Sequence, residues 1–194
     1  MLMKKRLHKV MVAGFALAAL THSANAESHS SELATHRGVY LEPKIIVTMG
    51  ESVSHGESTL DGDTGYGVGF DLGYSFTEYF ALELDGSYTR ADVKETLSTG
   101  ESETENGSFY TYGVNAVLTY PVTNHFIALG KLGYGYEHED LGSLGIKGSE
   151  HGANWALGVE YSFMPHVELS FEYEAADIRS ARGDSLQLGL IYKF

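Results

Sequence analysis

The residues with chemistry to offer in this 194-residue chain are chiefly carboxylates set at even spacing. Glu42, Asp71, Glu83, Asp85, Glu160, Glu168, Glu172 and Glu174 stand on the polar sides of alternating segments, where Lys44, Lys131 and Lys193 are the bases. Charges confined to a narrow interior must pair, or their protonation shifts. One reading of the set is a buried ionic plug around Lys44 and Lys131. The other is a narrow cation-preferring path, because excess interior acid favours cations over anions.

Other constellations carry less. The nine histidines are scattered: His8 and His22 fall in an N-terminal export segment, and His29, His36, His55, His125, His138, His151 and His166 follow no ligand spacing. Asp61-Gly62-Asp63 opens like a calcium loop but lacks the later positions and the closing Glu, so it reads as a turn. His29 with Ser31, and His151 near Ser149 and Glu150, have the residue types of hydrolytic chemistry without a third group that can be placed. No catalytic residue, metal site or cofactor is assigned.

What must position the charges is a series of period-two segments, each with one apolar and one polar face. Eight are legible. They cover about 37–49, 65–76, 80–89, 110–120, 126–136, 151–163, 167–175 and 186–194. The second is the clearest, with Tyr66, Val68, Phe70, Leu72, Tyr74 and Phe76 against Gly65, Gly67, Gly69, Asp71, Gly73 and Ser75. Pro43 interrupts the first and calls for a bulge or kink. Gly130 falls on the apolar face of the fifth and leaves its register loosely set. The last runs Leu186, Leu188, Leu190, Tyr192, Phe194 and ends on an aromatic carboxyl terminus.

Connections at 77–79, 121–125 and 164–166 are short, whereas those near 50–64, 92–108, 137–150 and 176–184 are long, acidic and rich in Gly and Ser. Glu95, Glu101, Glu103 and Glu105 make the second long loop strongly acidic and, with Asn106-Gly107, mobile by expectation. Short turns on one side and long loops on the other are the mark of an up-and-down transmembrane barrel with the short side periplasmic.

The amino end agrees with export. Lys4, Lys5, Arg6 and Lys9 precede an apolar run from Val10 to Leu20 and a Ser23-Ala24-Asn25-Ala26 site, which together make a cleavable secretory signal over 1–26. Residues 27–36 then read as a flexible leader and 37–194 as one domain. The signal takes four of the 13 Lys and Arg and none of the 26 acids, so the mature chain has a formal charge of −17. That balance argues against nucleic acid as a partner. With no cysteine, no disulfide holds the exported chain together, and backbone pairing in a closed sheet must do so.

Size decides which face points inward. The large residues lie on one side of every segment and Gly, Ala, Ser and charged groups on the other, and an eight-stranded barrel is too narrow to enclose a face of Tyr, Phe, Trp and Leu. The aromatic side therefore meets lipid, with rings gathered near both ends of the strands as interfacial girdles. The fold expected is all-β, an eight-stranded antiparallel up-and-down transmembrane β-barrel. With these faces, the loop alternation, the interior glycines and the terminal Phe194, residues 37–194 resemble the small outer-membrane β-barrel family that includes OmpA-like transmembrane domains and OmpX-like and Ail-like proteins. The resemblance implies a bacterial outer-membrane location, lipid and lipopolysaccharide as surroundings, and a terminal strand, marked by Tyr192 and Phe194, read by the outer-membrane assembly machinery. It differs from full-length OmpA in having no domain after Phe194, so no peptidoglycan anchor is expected. The function expected is a monomeric, non-enzymatic role in envelope structure or in surface interaction through acidic loops. A narrow porin-like channel for small, preferably cationic solutes is the alternative, and a lipid-modifying outer-membrane enzyme a remote one.

Overall fold

Alternation of large and small side chains becomes ten antiparallel strands in the structure, a computed structural model that describes residues 37–55, 58–142, 146–178 and 180–194. The export signal and leader read over 1–36 lie outside the described residues. In chain order the strands are β1 Gly38–Thr48, β2 Ser52–His55, β3 Ser58–Gly62, β4 Gly65–Ser75, β5 Phe80–Leu97, β6 Ser102–Pro121, β7 Phe126–Leu141, β8 Ile146–Met164, β9 Val167–Ala176 and β10 Ser185–Lys193. Eight of them close a ring in the order β1-β4-β5-β6-β7-β8-β9-β10, with β10 returning to β1. In hydrocarbon this closure satisfies backbone groups that would each cost several kcal/mol if left unpaired.

The faces fall as size requires. Ile45 is 60% exposed on the lipid side while its neighbour Ile46 is 2% exposed on the inside. Ring pairs in tilted or edge-on contact line the two interfaces: Tyr88 with Tyr110 at 4.8 Å and Tyr112 with Tyr136 at 5.0 Å on the extracellular side, Phe126 with Tyr161 and Tyr192 with Phe194, both at 5.0 Å, on the periplasmic side. The periplasmic turns are tight, closed by Phe76 N–H to Phe80 O at 3.0 Å and Val122 N–H to Phe126 O at 2.8 Å.

Three expectations are corrected. Pro43 brings no bulge, because Leu41 opposite Tyr192 and Lys44 opposite Gly189 keep one register; the β1–β10 ladder merely lapses where proline has no N–H to give. The long loops are largely strand. Strands β2 and β3 pair with each other, β3 pairs with the upper half of β5, and β5 to β8 run on past the membrane, so that Thr96 still pairs with Ser102 and Leu141 with Ile146. The acidic stretch holding Glu95, Glu103 and Glu105 is therefore paired backbone, not a mobile loop. What sustains these extensions is a second apolar core above the membrane, made of Leu60, Ala91, Val93, Phe109, Leu141 and Ala181. Gly130 causes no slip: it lies opposite Leu118 and Leu157 on the lipid face.

Leu188 faces lipid in mid-strand between Ile45 and Phe171. Replacing it with Arg is expected to cost about 2–4 kcal/mol, the penalty for a cation near the bilayer midplane. Urea-driven equilibrium folding into lipid vesicles checks this, and an unchanged midpoint would reverse the assignment of faces.

Candidate functional site

The barrel interior is the place where titratable side chains from every quarter of the ring meet. Strand β7 lies diametrically opposite β1, and Lys131 projects from β7 across the lumen. Its Nζ stands 2.8 Å from Glu83 Oε1 of β5, 3.1 Å from Glu172 Oε2 of β9, 3.2 Å from Asp71 Oδ2 of β4 and 4.0 Å from Glu42 Oε2 of β1. Lys44 adds a second ammonium, 2.6 Å from the same Asp71 oxygen. Tyr40 donates its hydroxyl to Glu83 Oε2 at 2.9 Å, and Ser170 donates to Glu42. All of these groups are buried. Six charged side chains from five strands thus form one layer.

The eleven interior charged residues read from the sequence do not make a single network. Glu42, Lys44, Asp71, Glu83, Lys131 and Glu172 form the central layer. Asp85 lies above it and takes a hydrogen bond from Asn115 Nδ2 at 2.9 Å, and Asn154 donates to Asn115 Oδ1 at the same distance. Glu160 and Glu168 lie below, near the periplasmic end. There Glu168 receives Lys193 Nζ at 2.7 Å and the Ser162 hydroxyl at 2.5 Å. Between the lower group and the centre lies an apolar collar of Tyr40, Ala81, Val117 and Ile191. A cavity of about 40 Å³ opens beneath it, lined in part by Tyr40, Ile127, Glu160 and Lys193, which is room for a few waters only.

Inward glycines, expected to leave space for water, instead make room for these side chains. A Cβ at Gly73 would overlap the Tyr40 ring, and one at Gly189 would overlap Glu42 Oε1 and Ser170 Oγ. The glycines let the network cross the lumen.

Glu42, Asp71 and Glu83 are also the carboxylates that, among the described residues, lie close enough together to hold a metal ion. The Lys131 ammonium already occupies the space they surround. At the rim, His151 and Ser149 are not partners: His151 Nδ1 meets the Tyr134 hydroxyl at 2.5 Å, and Ser149 Oγ meets His138 Nδ1 at 2.9 Å. Glu150 stands opposite Glu137, on the other face of the strand. His29 and Ser31 lie outside the described residues. Asp61 accepts a hydrogen bond from Ser52 across the β2–β3 pair, and its neighbour Asp63 stands between β3 and β4.

A further charged site went unread in the sequence. Arg182, in the β9–β10 connection, is buried and donates from Nε to Glu137 Oε2 at 2.6 Å and from Nη2 to Glu174 Oε1 at 3.3 Å. Burial opposes its charge, but Glu137 and Glu174 more than offset that and hold the guanidinium above its ordinary pKa. No alternation marks an arginine in a connection, and the only available signal was its position among acids in an otherwise acidic chain.

Removing one partner of a buried ionic cluster strands the others. Lys131→Met is therefore expected to destabilise the barrel by about 3–5 kcal/mol in vesicle folding titrations, and adding Glu172→Gln should recover part of the loss. A change below about 1 kcal/mol would show that Lys131 is not the shared counter-ion.

Comparison with known proteins agrees with this architecture. The family model described as outer membrane protein beta-barrel domain matches residues 13–194. Outer membrane protein X of Escherichia coli K12 is 27% identical over 154 residues, spanning 77% of this chain and 88% of that protein, and its namesake from Enterobacter cloacae is 25% identical over 174 residues, spanning 84% and 96%. Among solved structures, OprG of Pseudomonas aeruginosa superposes with a TM-score of 0.64 at 15% identity, covering 84% of this chain and 99% of that one. Ail of Yersinia pestis, solved with the heparin analogue sucrose octasulfate, gives 0.54 at 15% identity, covering 82% and 99%. The chain belongs to the outer membrane protein β-barrel domain family, integral to the bacterial outer membrane.

Proposed function

We propose that this chain is a closed, non-enzymatic barrel that serves the outer membrane as a structural element and presents its extracellular strands to partners. The observation that carries this reading is the Lys131 ammonium, held by carboxylates of four other strands in the middle of the lumen. Cross-links of this kind across a narrow lumen oppose a continuous water column for a solute to follow.

The same reading covers the chain's partners and processing. Residues 1–26 serve as a cleaved export signal and 27–36 as a leader, and Tyr192 and Phe194, at the periplasmic rim, mark the strand that the assembly machinery reads. The lipid-facing girdle contacts membrane lipid, and Arg90, whose guanidinium lies 5.3 Å over the Tyr88 ring just above it, suits a lipopolysaccharide phosphate. The β5–β6 hairpin, with Glu95 directly opposite Glu103, suits a cationic surface ligand and would repel a sulfated polyanion. The barrel acts as a monomer.

One observation favours a second reading, a narrow cation path: the central layer holds four carboxylates against two ammoniums. Planar-bilayer recording separates the two. Purified, folded protein is expected to give no reproducible unitary openings. Cation-selective openings that vanish in Asp85→Asn and Glu172→Gln variants would establish the channel instead.

A further inference from the structure

The β9–β10 connection does not stand clear of the barrel as an open loop; residues 180–184 lie across its extracellular mouth. Three backbone hydrogen bonds fasten the segment to the end of β1 and beyond: Met49 N–H to Asp184 O at 2.8 Å, Gly50 N–H to Arg182 O at 3.0 Å and Glu51 N–H to Ala181 O at 3.0 Å. Gly183 has φ of +68°, a conformation that favours glycine, and a Cβ there would press on the backbone of Gly50. Ala181 is fully buried in the extracellular apolar core with Leu60, Val93, Phe109 and Leu141. Tyr173 donates its hydroxyl to Asp184 Oδ2 at 2.5 Å. Arg182 turns inward and reaches over β8 to join Glu137 of β7 to Glu174 of β9.

We propose that residues 180–184 form a strap latched by Arg182, a closure of the extracellular mouth that is separate from the Lys131 layer and can open while the transmembrane barrel stays folded. The strap is attached to Met49, Gly50, Glu51, Tyr173, Glu137 and Glu174, all in the extracellular part of the molecule and outside the layer around Lys131. Below it, β9 and β10 remain paired from Glu174 opposite Ser185 down to Val167 opposite Tyr192, so releasing the strap breaks no barrel seam. Short segments held by few attachments open locally at far lower cost than the whole fold. The latch is the costliest attachment to lose, because the guanidinium and both carboxylates give up a buried partnership together. Opening would present Glu137, Glu174 and the apolar residues around Ala181 to the outside.

Trypsin tests the latch, since Arg182 is both the pin and a cleavage site. On the full, folded protein in phosphatidylcholine vesicles, the Arg182–Gly183 bond is expected to resist trypsin. In Glu137→Gln/Glu174→Gln, which keeps the cleavage site but removes the pin's charged partners, scission at that bond, identified by fragment mass, is expected to run about tenfold faster or more. The uncut double variant should still migrate as a folded barrel on unheated gels. Arg182→Lys, with one ammonium in place of a fork, should fall between. Three results would overturn the proposal: rapid cutting of the unmodified protein at Arg182, a double variant that is folded yet cut no faster, or a double variant that cannot form the barrel at all.

Discussion

A single ammonium group ties the interior together. Lys131 reaches across the ring from β7 and draws on carboxylates from β1, β4, β5 and β9, so strands that never pair through their backbones are joined through their side chains. The arrangement follows from two constraints. Lipid outside requires a closed sheet with its large residues outward, and eight strands enclose only a narrow core. Polar side chains left inside must then find one another. Glycine opposite the longest of them, as at Gly73 beside Tyr40 and Gly189 beside Glu42, lets them pass across the lumen.

Above the membrane the chain meets a different solvent and solves a different problem. Strands that continue into water without a partner face would expose their edges and apolar residues. Here β3 pairs onto β5 and carries β2 on its other edge, and Leu60, Val93, Phe109 and Leu141 bury one another beneath Ala181. The molecule thus has two closures of opposite chemistry, an ionic layer inside the membrane and an apolar roof outside it. The roof also explains why an acidic hairpin can hold like charges face to face, since its inward positions nearer the barrel supply compensating burial.

Much of this was legible in the sequence, and the reasons are physical. Period-two alternation is strong wherever one face meets hydrocarbon, so the transmembrane parts of the eight barrel strands, the inward placement of all eleven charged residues and the closing role of β10 could be read directly. The signal fades where both faces are polar, and for that reason 92–97 and 102–108 looked like loop although they are paired strand. Pattern also places a residue on a face without fixing its height, because strand stagger is a property of the whole ring. Glu160 and Glu168 therefore separated from the Lys131 layer only in three dimensions. The break that Pro43 makes in the ladder is legible from its missing donor; that pairing toward β10 lapses there without a bulge is not, because it depends on the register of the neighbouring strand. Arg182 and Glu137, 45 residues apart, had no periodic signal at all.

Four carboxylates cage the Lys131 ammonium and shield it from water. Proton exchange at lysine Nζ reports this directly: in protein labelled with nitrogen-15 and folded in micelles near neutral pH, solvent-exposed ammoniums exchange too fast to be seen. A slowly exchanging ammonium signal that disappears in Lys131→Met and moves in Glu83→Gln is the expected result. Complete absence of such a signal from the folded protein, with every lysine exchanging at the rate of a surface residue, would contradict the cage and reopen the lumen as a path for water and ions.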